Sequence, residues 1–108
     1  MRFVVYIIGP ESGFPCKIGV ASNLKNRLSN IQSANWEELF VHEAIMVRSK
    51  SYAFKLEKYC MKRMADYKIR GEWFNVFAED MGKLLKDLAH EIKAVLNNKG
   101  KLETRATP

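Results

Sequence analysis

FVVYII, residues 3–8, is the stretch on which the reading of the fold turns. Its six positions are all apolar, mostly β-branched, and show no polar alternation. That pattern fits a strand covered on both faces. Gly9-Pro10 closes it, residues 11–15 read as a turn, and CKIGV at 16–20 reads as the returning strand of a hairpin.

Working outward, Ser22 or Asn23 caps a helix in which Leu24, Leu28 and Ile31 recur at i, i+4 and i+7. Ser33 to Trp36 break that helix, and ELFVHEAIMV at 38–47 favours a third strand. Ser51 opens a second helix reaching to about Ala65. Ile69 to Val76 hold a glycine-centred turn and the aromatic pair Trp73-Phe74. A last helix over about 79–96 places Met81, Leu84, Leu85, Leu88, Ile92, Val95 and Leu96 on one side, with Glu79 and Asp80 suiting the dipole of its first turn. Residues 97–108 lack apolar periodicity and read as a disordered tail. The order ββαβαα predicts one α+β domain over 1–96: a small, three-stranded, mainly antiparallel sheet flanked by helices, plus a C-terminal amphipathic helix.

A chain of 108 residues has room for one domain. No apolar run approaches the roughly 18–20 residues that span a membrane, and the N-terminus does not read as a signal peptide. Cys16 and Cys60 form no paired motif, and with only two histidines a zinc site is not expected. A reduced, cytoplasmic setting is the expectation.

The net charge of +6 is local. Residues 1–47 carry four basic and four acidic groups, whereas residues 48–70 carry eight basic groups against Glu57 and Asp66. Such a segment suits a polyanion, DNA or RNA alike, through Lys55, Lys58, Lys62, Arg63, Lys68 and Arg70. A solvated helix face is the competing reading of the same charges.

On the second helix Lys55, Lys58 and Lys62 form one stripe, and Glu57 points elsewhere. Its neighbours at i±3 and i±4 are Ala53, Phe54, Cys60 and Met61, none of which can pair with it. A carboxylate at the edge of an apolar stripe needs compensation from outside the helix, by an arginine or by a metal ion. Arg27, flanking the first helix's apolar stripe, suits an ion pair or a phosphate. Tyr6, in the most apolar strand, reads first as a core residue with a satisfied hydroxyl.

Together these positions resemble the GIY-YIG nuclease superfamily. The corresponding segments are Val4-Val5-Tyr6, Lys17-Ile18-Gly19 with the helix that carries Arg27, Leu56-Glu57, and Gly71-Glu72-Trp73-Phe74-Asn75. The match is closest to a phage and bacterial branch with KIG in place of YIG and a GEWF motif, and it spans residues 3–76. The resemblance implies endonucleolytic hydrolysis of DNA with one divalent cation, Mg2+ or Mn2+, held by Glu57. Tyr6 would act on the attacking water, Arg27 would stabilise phosphate charge, and Asn75 would be a supporting contact. Lys17 replaces the second tyrosine, and its ammonium would act on Tyr6 or bind phosphate. Met61 stands where relatives often carry histidine. The alternative is a catalytically impaired nucleic-acid-binding module that keeps the fold, and a third reading is a protein-interaction domain with an incidental basic face.

Overall fold

The structure is a computed structural model that describes residues 2–100, with side chains described as far as Ile92. FVVYII lies within the first strand, β1 (Phe3–Gly9). It pairs antiparallel with β2 (Cys16–Ala21) on one side and β3 (Phe40–Val47) on the other. Being central, it is covered on both faces, and Val5, Tyr6, Ile7 and Ile8 have no solvent exposure. The α+β class is therefore as expected, but the sheet has five strands in the order β3-β1-β2-β5-β4. The two additions, β4 (Lys68–Arg70) and β5 (Trp73–Phe74), are too short to show alternation in the sequence. They form because the turn at Gly71, with φ +56°, folds Trp73 and Phe74 against Lys17 and Cys16.

Alternation along β1 sorts its side chains into two cores. Val5 and Ile7 face the larger one, built with α2 (Lys50–Arg63) and α3 (Ala78–Gly100), whose Leu56, Cys60, Met81 and Leu85 are fully buried. Tyr6 and Ile8 face the smaller one, closed by Leu24, Leu28 and Ile31 of α1 (Leu24–Ser33), by Leu39 and by Trp73. Asn23 caps α1, its side chain accepting from the Asn26 amide at 3.1 Å. The second helix starts earlier than expected: Ser49, not Ser51, caps it, by accepting from the Tyr52 amide at 3.1 Å. It ends at Arg63 rather than Ala65, where a 3-10 turn over Ala65–Tyr67 leads into β4. The last helix continues past 96 to Gly100, and the rest of the expected tail lies outside the described residues. The β1–β2 turn is tied to the start of α3, since the Ala78 amide donates to the Gly13 carbonyl at 2.7 Å.

The glycine of KIG serves a packing purpose. Gly19 lies opposite Tyr6 in the β1–β2 register and does not have a positive φ. A Cβ there would overlap the hydroxyl and Cζ of Tyr6, because the ring lies across the glycine. Gly19→Ala is thus expected to destabilise the protein by about 1–3 kcal/mol through overpacking. Urea unfolding midpoints of wild type and variant check this, and an unchanged midpoint would show that the ring has room to move.

Candidate active site

Beyond Ile18, whose amide donates to the Glu72 carbonyl at 3.2 Å, β2 pairs only with β1. This leaves an open sheet edge at Gly19 and Val20. Tyr6 reaches over Gly19 from the α1 side. Arg27 comes down from α1, donating from Nη1 to the Val20 carbonyl at 3.2 Å and approaching the Tyr6 hydroxyl at 3.5 Å. Glu57 arrives from α2, on the other side of the sheet, and Glu72 from the turn before β5. The two layers of the domain meet around this edge.

Glu57 is the one buried charged residue among the described residues, 6 % exposed. The two ion pairs among them, Lys17–Glu72 at 2.7 Å and Lys86–Glu43 at 3.3 Å, do not include it. Its hydrogen-bonding neighbour is a second carboxyl, that of Glu72. Two carboxyls in that relation need a proton or a cation between them. Burial, followed by the charge and hydrogen bond of Glu72, pushes Glu57 up to about 7, although Lys17 and Arg27 pull the other way. The structural ion pair, the default for Glu57 from sequence, is not what this side chain makes. Lys17 spends its ammonium on Glu72.

Tyr6, Lys17, Arg27 and Glu57 therefore gather at one edge, and Glu72 joins them. Sequence reasoning gave Glu72 no role; the signal was its place as the one ionisable residue of GEWF. Asn75 is not visibly part of the group: its side chain is exposed, and its backbone amide donates to the Tyr67 carbonyl at 2.8 Å. Met61 is half-buried and packs against the larger core. Cys16 and Cys60 are free, buried thiols that burial pushes up to about 11 and about 12, so neither is a nucleophile at neutral pH.

Lys55, Lys58, Lys62, Arg63, Lys68 and Arg70 are all exposed. Lys55, Lys62 and Arg63 line a groove of about 500 Å3 against Leu88 and Ile92 of α3, on the side of α2 turned away from Glu57. Arg70 lines a separate groove beside Trp73. Lys58 and Lys68 line neither.

The oxygen donors at the edge suit a hard divalent cation. Among the described residues no group of three His, Cys, Asp or Glu side chains forms a cation cage, so water and phosphate oxygens would complete the shell around Glu57 and Glu72. No described helix is long and apolar enough to cross a membrane.

A family model described as the T5orf172 domain matches residues 4–97. No curated protein and no solved structure matches the chain.

The Glu57–Glu72 contact has a measurable consequence for stability. Glu57 holds its proton more tightly when folded than when unfolded, so the native state binds more protons between about pH 4.5 and 7. Stability from this group is full below that window and falls as pH rises through it, by on the order of 3 kcal/mol. In EDTA, Glu57→Gln is expected to be more stable than wild type at pH 8 and equal to it near pH 4. Urea titrations at the two pH values read the difference; a constant offset would mean that no shared proton exists.

Proposed function

The chain belongs to the T5orf172 domain family, and from that premise we propose that it is a divalent-metal-dependent endonuclease of GIY-YIG type, hydrolysing phosphodiester bonds in DNA. The family is phage-associated and of nuclease type. The observation that carries the reading is the buried Glu57 facing Glu72, with Tyr6, Lys17 and Arg27 converging on the same open edge. A domain that only bound phosphates would gain nothing from two carboxyls turned toward them.

In this mechanism Glu57 would be the principal metal ligand, with Glu72 as the neighbour that completes the protein's share. The cation, Mg2+ or Mn2+, would supply Lewis-acid polarisation of the phosphate and stabilisation of the leaving oxygen when bound. The side chains do the rest. Tyr6 would help position the attacking water or, as the phenolate, take its proton. Its hydroxyl has no solvent exposure in the resting protein, where Arg27 lies beside it at 3.5 Å. Arg27 would exchange its contacts with the Tyr6 hydroxyl and the Val20 carbonyl for phosphate, setting the fork against the oxygens that gain charge. Lys17, which holds Glu72 at 2.7 Å in this structure, would offer its ammonium as a second positive contact for the phosphate. Asn75 is a supporting polar contact at the end of the motif. The exposed Lys58, Lys68 and Arg70 would hold the polynucleotide by its phosphates, and Lys55, Lys62 and Arg63, on the side of α2 turned away from Glu57, would hold a stretch farther along it, which positions it without reading sequence.

The alternative, a binding module without turnover, draws on the 2.7 Å Lys17–Glu72 pair, which ties up two of the groups the reaction needs. Supercoiled plasmid with Mg2+ or Mn2+ separates the two. Wild type is expected to nick or linearise it, Glu57→Ala to be inert, and Arg27→Ala to lose about 100-fold or more in rate. If wild type and Glu57→Ala are equally inert yet both retard DNA, the enzyme reading fails and the binder stands. Lys55→Ala and Lys62→Ala are each expected to lower the slope of log affinity against log salt by about 0.9.

A further inference from the structure

We infer that the groove between the α1–β3 loop and the β4–β5 hairpin is a stacking pocket for an unpaired nucleotide base, next to the candidate active site. The inference rests on the nucleic-acid reading above. The groove holds about 470 Å3, and Trp36, Trp73, Ile69, Arg70 and Glu37 line it. Trp36 is 95 % exposed, and Ile69 is half exposed beside it. Burial therefore gains the fold almost nothing from this indole. Trp73 forms the inner wall, half-buried over the smaller core.

The chemistry of the lining selects the occupant. Apolar and aromatic walls with a carboxylate at Glu37 fit a neutral planar ring and disfavour a phosphate in the groove. Arg70 suits the phosphate that stays outside, or the exposed face of the ring. The place is as telling as the lining. Trp73 is the register partner of Lys17, and Glu72 directly precedes it. A strand whose base enters the groove thus passes its backbone along the open edge of β2. Fully paired duplex has no base to offer, so bulges, junctions or single strands would be preferred substrates.

The two tryptophans of the chain are Trp36 and Trp73, and both line this groove, so intrinsic fluorescence reports on it directly. The full chain in EDTA would be titrated with a single-stranded oligothymidylate and with a fully paired duplex of equal length. The expected result is saturable quenching by the single strand, about ten-fold weaker binding in Trp36→Ala, and recovery in Trp36→Phe. Trp36 is so exposed that its removal should leave the fold intact, which circular dichroism checks. Absence of quenching while the duplex is still retarded in a gel overturns the pocket and leaves the nucleic-acid reading standing. If neither nucleic acid binds and plasmid is not cut, both readings fall. A spectral shift that follows protein concentration without any oligonucleotide, and vanishes in Trp36→Ala, assigns the groove to a second copy of the chain and also overturns the proposal.

Discussion

A strand that is apolar at every position requires a cover on each face, and β1 imposes that requirement on the whole domain. The hairpin supplies its neighbour, and α2 with α3 close one face while α1 closes the other. The two covers can approach each other only where the sheet stops. Because β5 is two residues long, the sheet stops early along β2. The candidate site occupies that gap, so the position of the chemistry follows from the shortness of one strand.

Electrostatics makes the gap distinctive. Most of the charge on the described side chains is solvated, but here two carboxyls, an ammonium and a guanidinium share a partly dry edge. The Lys17–Glu72 pair leaves Glu57 with a like-charged neighbour in place of a counter-ion, an arrangement that burial makes worse. Structural ion pairs are not built this way.

The central strand and the three helices were legible in the sequence through periodicity, while Tyr6, Lys17, Arg27 and Glu57 were singled out together only by motif. Short elements were not legible. A two-residue strand exists only through its partner, so Trp73-Phe74 read as an aromatic pair and no more. Ser49 and Ser51 are equal as caps on paper, and the choice between them depends on where β3 ends. Glu72 was invisible for a related reason: its neighbour Glu57 comes from another element, and no spacing encodes their contact. The basic residues failed in the opposite sense. Their closeness in sequence suggested one patch, while the fold sets Lys55, Lys62 and Arg63 along one groove, Arg70 along another, and Lys58 and Lys68 along neither.

The hydrogen bond from the Ala78 amide to the Gly13 carbonyl gives the hairpin turn a second identity. The first amides of a helix have no partner within it, and here a carbonyl from the far end of the sequence supplies one. The turn is thus a capping device for the last helix as well as a connection between strands. Loops of this kind do not tolerate length variation as connections usually do: a residue inserted between Pro10 and Pro15 would leave the hairpin closed but uncap α3. Tags, fusions and permuted termini belong elsewhere on this molecule.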